Sequence, residues 1–151
     1  MGVIPNKMID VMDWAQCERQ FIRHVEKDNE KIKSLVSTAT KRIKVIKSID
    51  LNQDSASFIV EGYYEVIKEL LTAYLLRNGL RSKNHQCLIT YFSIHNKEYE
   101  HETTLISQLS FYRNRLEYYG ELIPIEFYEQ NKKSIQEIIT LLFKLVEQSK
   151  I

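Results

Sequence analysis

Residues 54–79 read DSASFIVEGYYEVIKELLTAYLLRNG, and the fold turns on this stretch. Its apolar residues, Ile59, Val60, Tyr63, Tyr64, Ile67, Leu70, Leu71, Tyr74 and Leu75, recur at helical steps but spread over an unusually wide arc. A helix apolar around that much of its circumference has neighbours on more than one side, so it belongs at the centre of a helical bundle. Asp54 offers an N-cap before it, and Asn78-Gly79 stops it, Gly79 being suited to the left-handed residue that follows a helix.

Upstream, Asp28 stands as an N-cap before Ile32, Leu35, Val36, Ala39, Ile43 and Ile46, one apolar face of a helix ending near Ile49. The segment from Lys7 to Glu26, with Trp14, Phe21, Ile22 and Val25 among charges, predicts a short leading helix. Downstream, Arg81 to Asn84 is a polar connection, and His85 to Ile94 (HQCLITYFSI) reads as a brief helix packing Leu88, Ile89 and Phe92. After Asn96 and Lys97 comes a helix with Leu105, Leu109, Tyr112, Leu116 and Tyr119 on its core face, ended by Gly120. Pro124 suits the first turn of a last helix, whose stripe is Phe127, Ile135, Ile138, Ile139, Leu142, Leu145 and Val146. The expectation is an all-α antiparallel four-helix bundle, with a short leading helix and another short helix between the second and third main ones. One domain covers 1–151, its leading segment 1–27 and its bundle 28–149, with no repeat, low-complexity tract or linker.

Composition agrees. The 151 residues are 44% hydrophobic and 27% charged, a globular balance, and 4 Gly with 2 Pro are too few for the turns of an all-β domain. Net charge is +1, so any affinity for nucleic acid must come from a local patch. Met1 to Lys7 runs into Asp10 and Asp13 rather than an apolar leader, and no apolar run is long enough to span a bilayer, so a cytoplasmic protein with no membrane partner is expected. Cys17 and Cys87 are read as buried free thiols in a reducing compartment. None of His24, His85, His95 and His101 stands at i,i+4 to another, so no metal site is expected. His85, near a helix start, is read as structural. Nucleophilic triads, glycine-rich phosphate loops and dinucleotide fingerprints are absent, and no cofactor is expected.

The chemistry gathers late in the penultimate helix. With Leu105, Leu109 and Tyr112 inward, the opposite face carries Ser107, Phe111, Asn114 and Tyr118, with Arg113 at its edge, Arg115 beside it and Glu117 one turn on. That face is too apolar for idle solvent surface and too polar for core, and it suits an interface between two copies through Ser107 and Phe111, with a polar cleft at its rim. Read without further context, Arg113 with Glu117 is an ordinary surface ion pair, and Lys31, Lys33, Lys41, Arg42, Lys44 and Lys47 are a solvated basic face.

The segment Arg113-Asn114-Arg115-Leu116-Glu117-Tyr118-Tyr119-Gly120 resembles the signature of the HEPN domains, in which Arg is followed by four to six residues, the first of them polar, and then by His. Tyr63-Tyr64-Glu65, Asn78-Gly79-Leu80, Lys83-Asn84-His85 and Phe92 are similar, in order and spacing, to the upstream part of that family. The resemblance covers most of the chain after Asp28. It implies a homodimeric bundle, and in many members a metal-independent endoribonuclease, often a toxin paired with a minimal nucleotidyltransferase. By the same resemblance Arg113 would stabilise charge on a scissile phosphate, Asn114 would orient it, and the signature histidine's place, held here by Tyr118, would serve proton transfer. Arg115, Tyr119, Lys83 and Arg81 would then contact RNA or nucleotide. With a phenol in place of imidazole, two readings stay open: a cleft acting on RNA or a nucleotide, or a non-catalytic module that binds a nucleotidyltransferase or another protein.

Overall fold

The computed structural model describes residues 11–148 and is all-α apart from one short ribbon. The helices are α1 (Trp14–Gln20), α2 (Asn29–Lys47), α3 (Ala56–Arg77), α4 (His85–His95), α5 (Glu100–Tyr119) and α6 (Ile125–Gln148). Strands β1 (Ile22–His24) and β2 (Leu80–Ser82) pair antiparallel, and a 3-10 turn over Lys97–Tyr99 leads into α5. None of the helices among the described residues is long and apolar enough to cross a membrane.

Helix α3 is the axis. It buries 14 of its 22 residues, from Ala56 to Leu76, and packs against α2, α4, α5 and α6. Helix α2 comes close at Gly62, where an added Cβ would lie 2.9 Å from Cδ1 and Cγ1 of Ile46, so a larger residue would force that side chain to move. The wide apolar arc thus becomes the core, and its buried Ile67, Leu70, Leu71 and Leu75 meet Ile106 and Leu109 of α5 and Ile135, Ile138 and Leu142 of α6 in one cluster.

Local chemistry sets the boundaries. Asp28 caps α2, its carboxylate accepting from the Lys31 amide at 3.0 Å. The expected cap on α3 is displaced. Ser55 holds the N-cap position without a side-chain bond, while Asn52 Oδ1 accepts from the Asp54 and Ser55 amides, each at 2.9 Å, and shapes the approach. Gly79 and Gly120 take the left-handed φ values 73° and 63° that end α3 and α5. Ile123 at the start of the last segment is tied to α3, its amide donating to the buried Ser57 hydroxyl at 2.7 Å.

Three sequence expectations are corrected. The leading helix shrinks to Trp14–Gln20, the rest of its span being β1 and a connection, while residues 7–10 lie outside the described part. Strand β1 pairs with β2, Ile22 opposite Ser82 and His24 opposite Leu80, so the connection after α3 is not merely a polar link. Cys17 and Cys87 are not free thiols: both are fully buried and they form a disulfide across 70 residues, with Cα atoms 5.7 Å apart, which fastens α1 to α4. That bond is of a kind that reducing compartments do not ordinarily keep, so the thiols no longer support a reducing location.

Candidate functional site: a cleft between the end of α5 and the start of α4

Helix α5 is anchored by Leu105, Ile106 and Leu109, all buried, and by two small buried residues, Ser107 and Ser110. Past Ser110 the helix leaves the core. Residues 111–116 are half-buried and 117–120 exposed. This exit holds Arg113 at the boundary between interior and water, with 17% of its side chain exposed.

Helix α3 supplies the partner. Arg113 Nη2 lies 3.5 Å from Glu65 Oε2, and the other Glu65 oxygen takes Lys68 Nζ at 2.7 Å. Arg113 Nε is buried without a hydrogen bond and is 3.5 Å from Glu117 Oε2, while Nη1 donates to Asn114 Oδ1 at 3.3 Å. Glu117 also reaches Glu61, whose carboxyl is raised above its ordinary 4.5 first by burial, then by Glu117, with Arg113 pulling the other way. The guanidinium is therefore pinned from two sides but not saturated: one N–H has no acceptor.

Opposite α5, the turn into α4 is tightly built. Strand β1 holds the incoming chain, the Lys83 amide donating to the Phe21 carbonyl at 3.2 Å. Ser82 Oγ donates to the Asn84 carbonyl at 2.8 Å and accepts from the Asn84 amide at 3.0 Å. Asn84 then caps α4 by accepting from the Gln86 amide at 2.8 Å. The turn fixes Lys83 and His85 over the end of α5, and Gln86 Nε2 donates to Ser110 Oγ at 3.3 Å across the gap.

Between these elements lies a cleft of about 280 Å³, lined by Arg113, Asn114, Tyr118, Lys83, Asn84, His85, Gln86, Ser110 and Tyr64. Three of the expected site residues on α5, Arg113, Asn114 and Tyr118, thus share one cavity with Lys83. His85, read from the sequence as structural, lines it too. Its imidazole is held below the usual 6.5, first by partial burial and then by Lys68 and Arg113, which favours its neutral form. Tyr64 beneath is kept protonated by burial. A cationic guanidinium, an ammonium, an amide, a phenol and a neutral imidazole facing one another can hold a phosphate and move a proton beside it.

The remaining expected residues lie elsewhere. Arg115 is engaged outside the cleft, its Nε and Nη2 donating to Glu121 at 2.9 and 2.6 Å and its guanidinium lying 5.0 Å from the Tyr119 ring centre. Arg81 is exposed on β2 and does not line the cavity. Tyr119, expected on the core face, is 71% exposed, because α5 outruns its neighbours there. Ser107, expected on the outward face as a dimer contact, is 7% exposed, because α4 packs on that side of α5. Phe111 is half-buried, edge-on to Tyr112 with ring centres 5.7 Å apart.

Arg113 also walls a second hollow, about 460 Å³, on its other side, where Arg42, Glu61, Glu65 and Glu117 meet the exposed Val45 and Phe58. Arg42 is committed to Glu69, with two hydrogen bonds of 3.2 and 2.9 Å, so part of the basic face on α2 serves packing. Among the described residues no group of three or more His, Cys, Asp or Glu is placed to hold a metal ion. Sequence reasoning missed Glu65 and His85. Glu65 stands on the narrow polar strip of α3 with Glu61, Lys68 and Glu69, and nothing in its spacing singles it out from them as the partner of Arg113.

No family model matches the chain, and neither a curated protein nor a solved structure matches it.

Proposed function

We propose that the chain is a HEPN-type helical protein that binds RNA or a nucleotide by phosphate in the cleft between α4 and α5. The observation that carries this reading is the convergence of Arg113, Asn114 and Tyr118 with Lys83 and His85 around one cavity. Arg113 and Lys83 supply charge to a phosphate, Asn114 orients it, and the neutral His85 takes the ribose 2′-hydroxyl proton, an office that the signature gives to the residue at Tyr118. Two copies associate through the exposed end of α5, where Tyr118 is 72%, Tyr119 71% and Leu122 60% exposed. Labelled RNA incubated with purified protein in EDTA tests the catalytic form of the reading. Cleavage by wild type, lost in Arg113→Ala and in His85→Ala, supports it; absence of cleavage, or equal cleavage by all three, sinks it.

One observation favours the second reading, a non-catalytic module that partners a minimal nucleotidyltransferase in a toxin-antitoxin pair. The Tyr118 phenol stands in the signature histidine's place and is exposed enough to receive a nucleotidyl group or dock a partner. Phosphate-dependent RNA binding without cleavage, weakened in Arg113→Ala, is the result that this reading expects.

A further inference from the structure

A separate hollow of about 490 Å³, sharing no lining residue with the Arg113 cleft, opens between the end of α2, the loop after it, α3 and α6. Its floor is apolar: Ile46 and Ile59 are buried, and the loop residues Ile49 and Leu51 leave 37% and 39% of their surface exposed beside it. Tyr63 of α3 and Tyr128 of α6 form one wall, their rings nearly parallel at 13° with centres 6.2 Å apart. The rim carries Lys47 from the end of α2 and Lys132 and Lys133 from α6, and no acidic residue lines the hollow. None of the three lysines makes an ion pair among the described residues, although Glu129 and Glu137 lie within one or two turns on α6.

Unpaired lysines such as Lys41, Lys44 and Lys83 occur elsewhere among the described residues; what distinguishes this place is that three cations from two helices converge on an uncovered aliphatic and aromatic floor. Tyr128, Lys132 and Gln136 stand at successive i,i+4 steps, so one face of α6 presents a ring, an ammonium and an amide in line. The volume falls within the range of about 300–1,000 Å³ usual for small-molecule sites. We propose that this hollow binds a small amphipathic anion, its flat apolar body resting on Ile49, Leu51 and the Tyr63–Tyr128 wall and its phosphate or carboxylate held by Lys47, Lys132 and Lys133. The site is distinct from the Arg113 cleft and does not depend on the function assigned to it.

The test is a titration of the full chain followed by amide NMR, with 1-naphthyl phosphate, 1-naphthoate, 1-naphthol and inorganic phosphate as probes. Saturable shifts at Lys47, Ile49, Leu51, Lys132, Lys133 and Gln136 are expected with either naphthyl anion, and the two together tell a phosphate head from a carboxylate one. Naphthol or phosphate alone binds about tenfold more weakly or worse, and so do the naphthyl anions to the double variant Lys132→Ala/Lys133→Ala. Both lysines are exposed, so the variant keeps the fold. Shifts that do not saturate, that centre elsewhere, or that persist unweakened in the double variant overturn the proposal.

Discussion

Arg113 on α5 and Glu65 on α3 face each other across the bundle with Nη2 and Oε2 3.5 Å apart, and the same carboxylate binds Lys68 at 2.7 Å. Glu65 thereby restrains the guanidinium and offsets its charge. In Glu65→Gln the restraint and one negative charge go together. Binding of short single-stranded RNA should tighten roughly two- to fivefold at low salt, converging with wild type at high salt. RNA cleavage should fall in the same variant, because the cation is no longer positioned. Fluorescence anisotropy at two salt concentrations reads the first effect, and an unchanged or weaker affinity at low salt contradicts it.

His85 gives a pH signature. Its imidazole is depressed below 6.5 by burial, Lys68 and Arg113, so its favourable contribution is complete above that value and lost as pH falls through the depressed one. Wild type should therefore lose more thermal stability on acidification than His85→Gln does. Cleavage, where present, should rise with pH through the same depressed value and level off at neutrality, and His85→Ala should lower it by about 100-fold to 10,000-fold. A flat profile removes His85 from the chemistry.

Glu61 has the opposite sign. Its carboxyl is raised above 4.5 by burial and by Glu117, so the folded chain holds that proton more tightly than the unfolded one. This stabilisation is present below 4.5 and disappears as pH rises through the raised value. Glu61→Gln should therefore gain on wild type in urea midpoint between acidic and neutral pH. Parallel curves for the two proteins would show that the carboxyl is not perturbed.

The disulfide predicts both a thiol count and a stability change. Denatured protein should titrate no free thiol before reduction and two after it. Closing a loop of 70 residues is worth about 4 kcal/mol on chain-entropy grounds. Urea denaturation with and without a reductant measures that difference.

The proposed association of two copies would use Tyr119 at the end of α5 and Leu122 just after it, both largely exposed. The double variant Tyr119→Glu/Leu122→Glu should sediment as a monomer at concentrations where wild type sediments as a dimer, with circular dichroism unchanged. Identical sedimentation of the two proteins rules out this face.

The bundle was legible because its helices are long and strongly periodic: the arc from Ile59 to Leu75 is buried as its spacing demands. Caps at Asp28 and stops at Gly79 and Gly120 are local chemistry, and they too were readable. The ribbon was not, since Ile22–His24 and Leu80–Ser82 are three residues each, too short for alternation to show. Cys17 and Cys87 lie 70 residues apart, and spacing alone says nothing of their meeting. Tyr119 and Ser107 were misplaced for one shared reason. A helical wheel ranks faces but does not say where the neighbours stop, and here α4 covers Ser107 while Tyr119, with only the Arg115 guanidinium near its ring, stays 71% exposed. Of the cleft, the α5 contribution was readable from a run of eight residues, whereas Glu65 and His85 arrive from α3 and α4 through the tertiary fold.

Helix α3 has one further consequence. Tyr64 lines the Arg113 cleft, Glu61 and Glu65 border the acidic hollow, and Ile59 with Tyr63 back the lysine-rimmed one, all within seven consecutive positions. Three basins share a single partition about two turns tall, so a truncation inside that partition would disturb all of them at once. Selective variants must be cut from the outer banks, at residues such as Lys83, Val45 or Lys132, each of which borders only one basin.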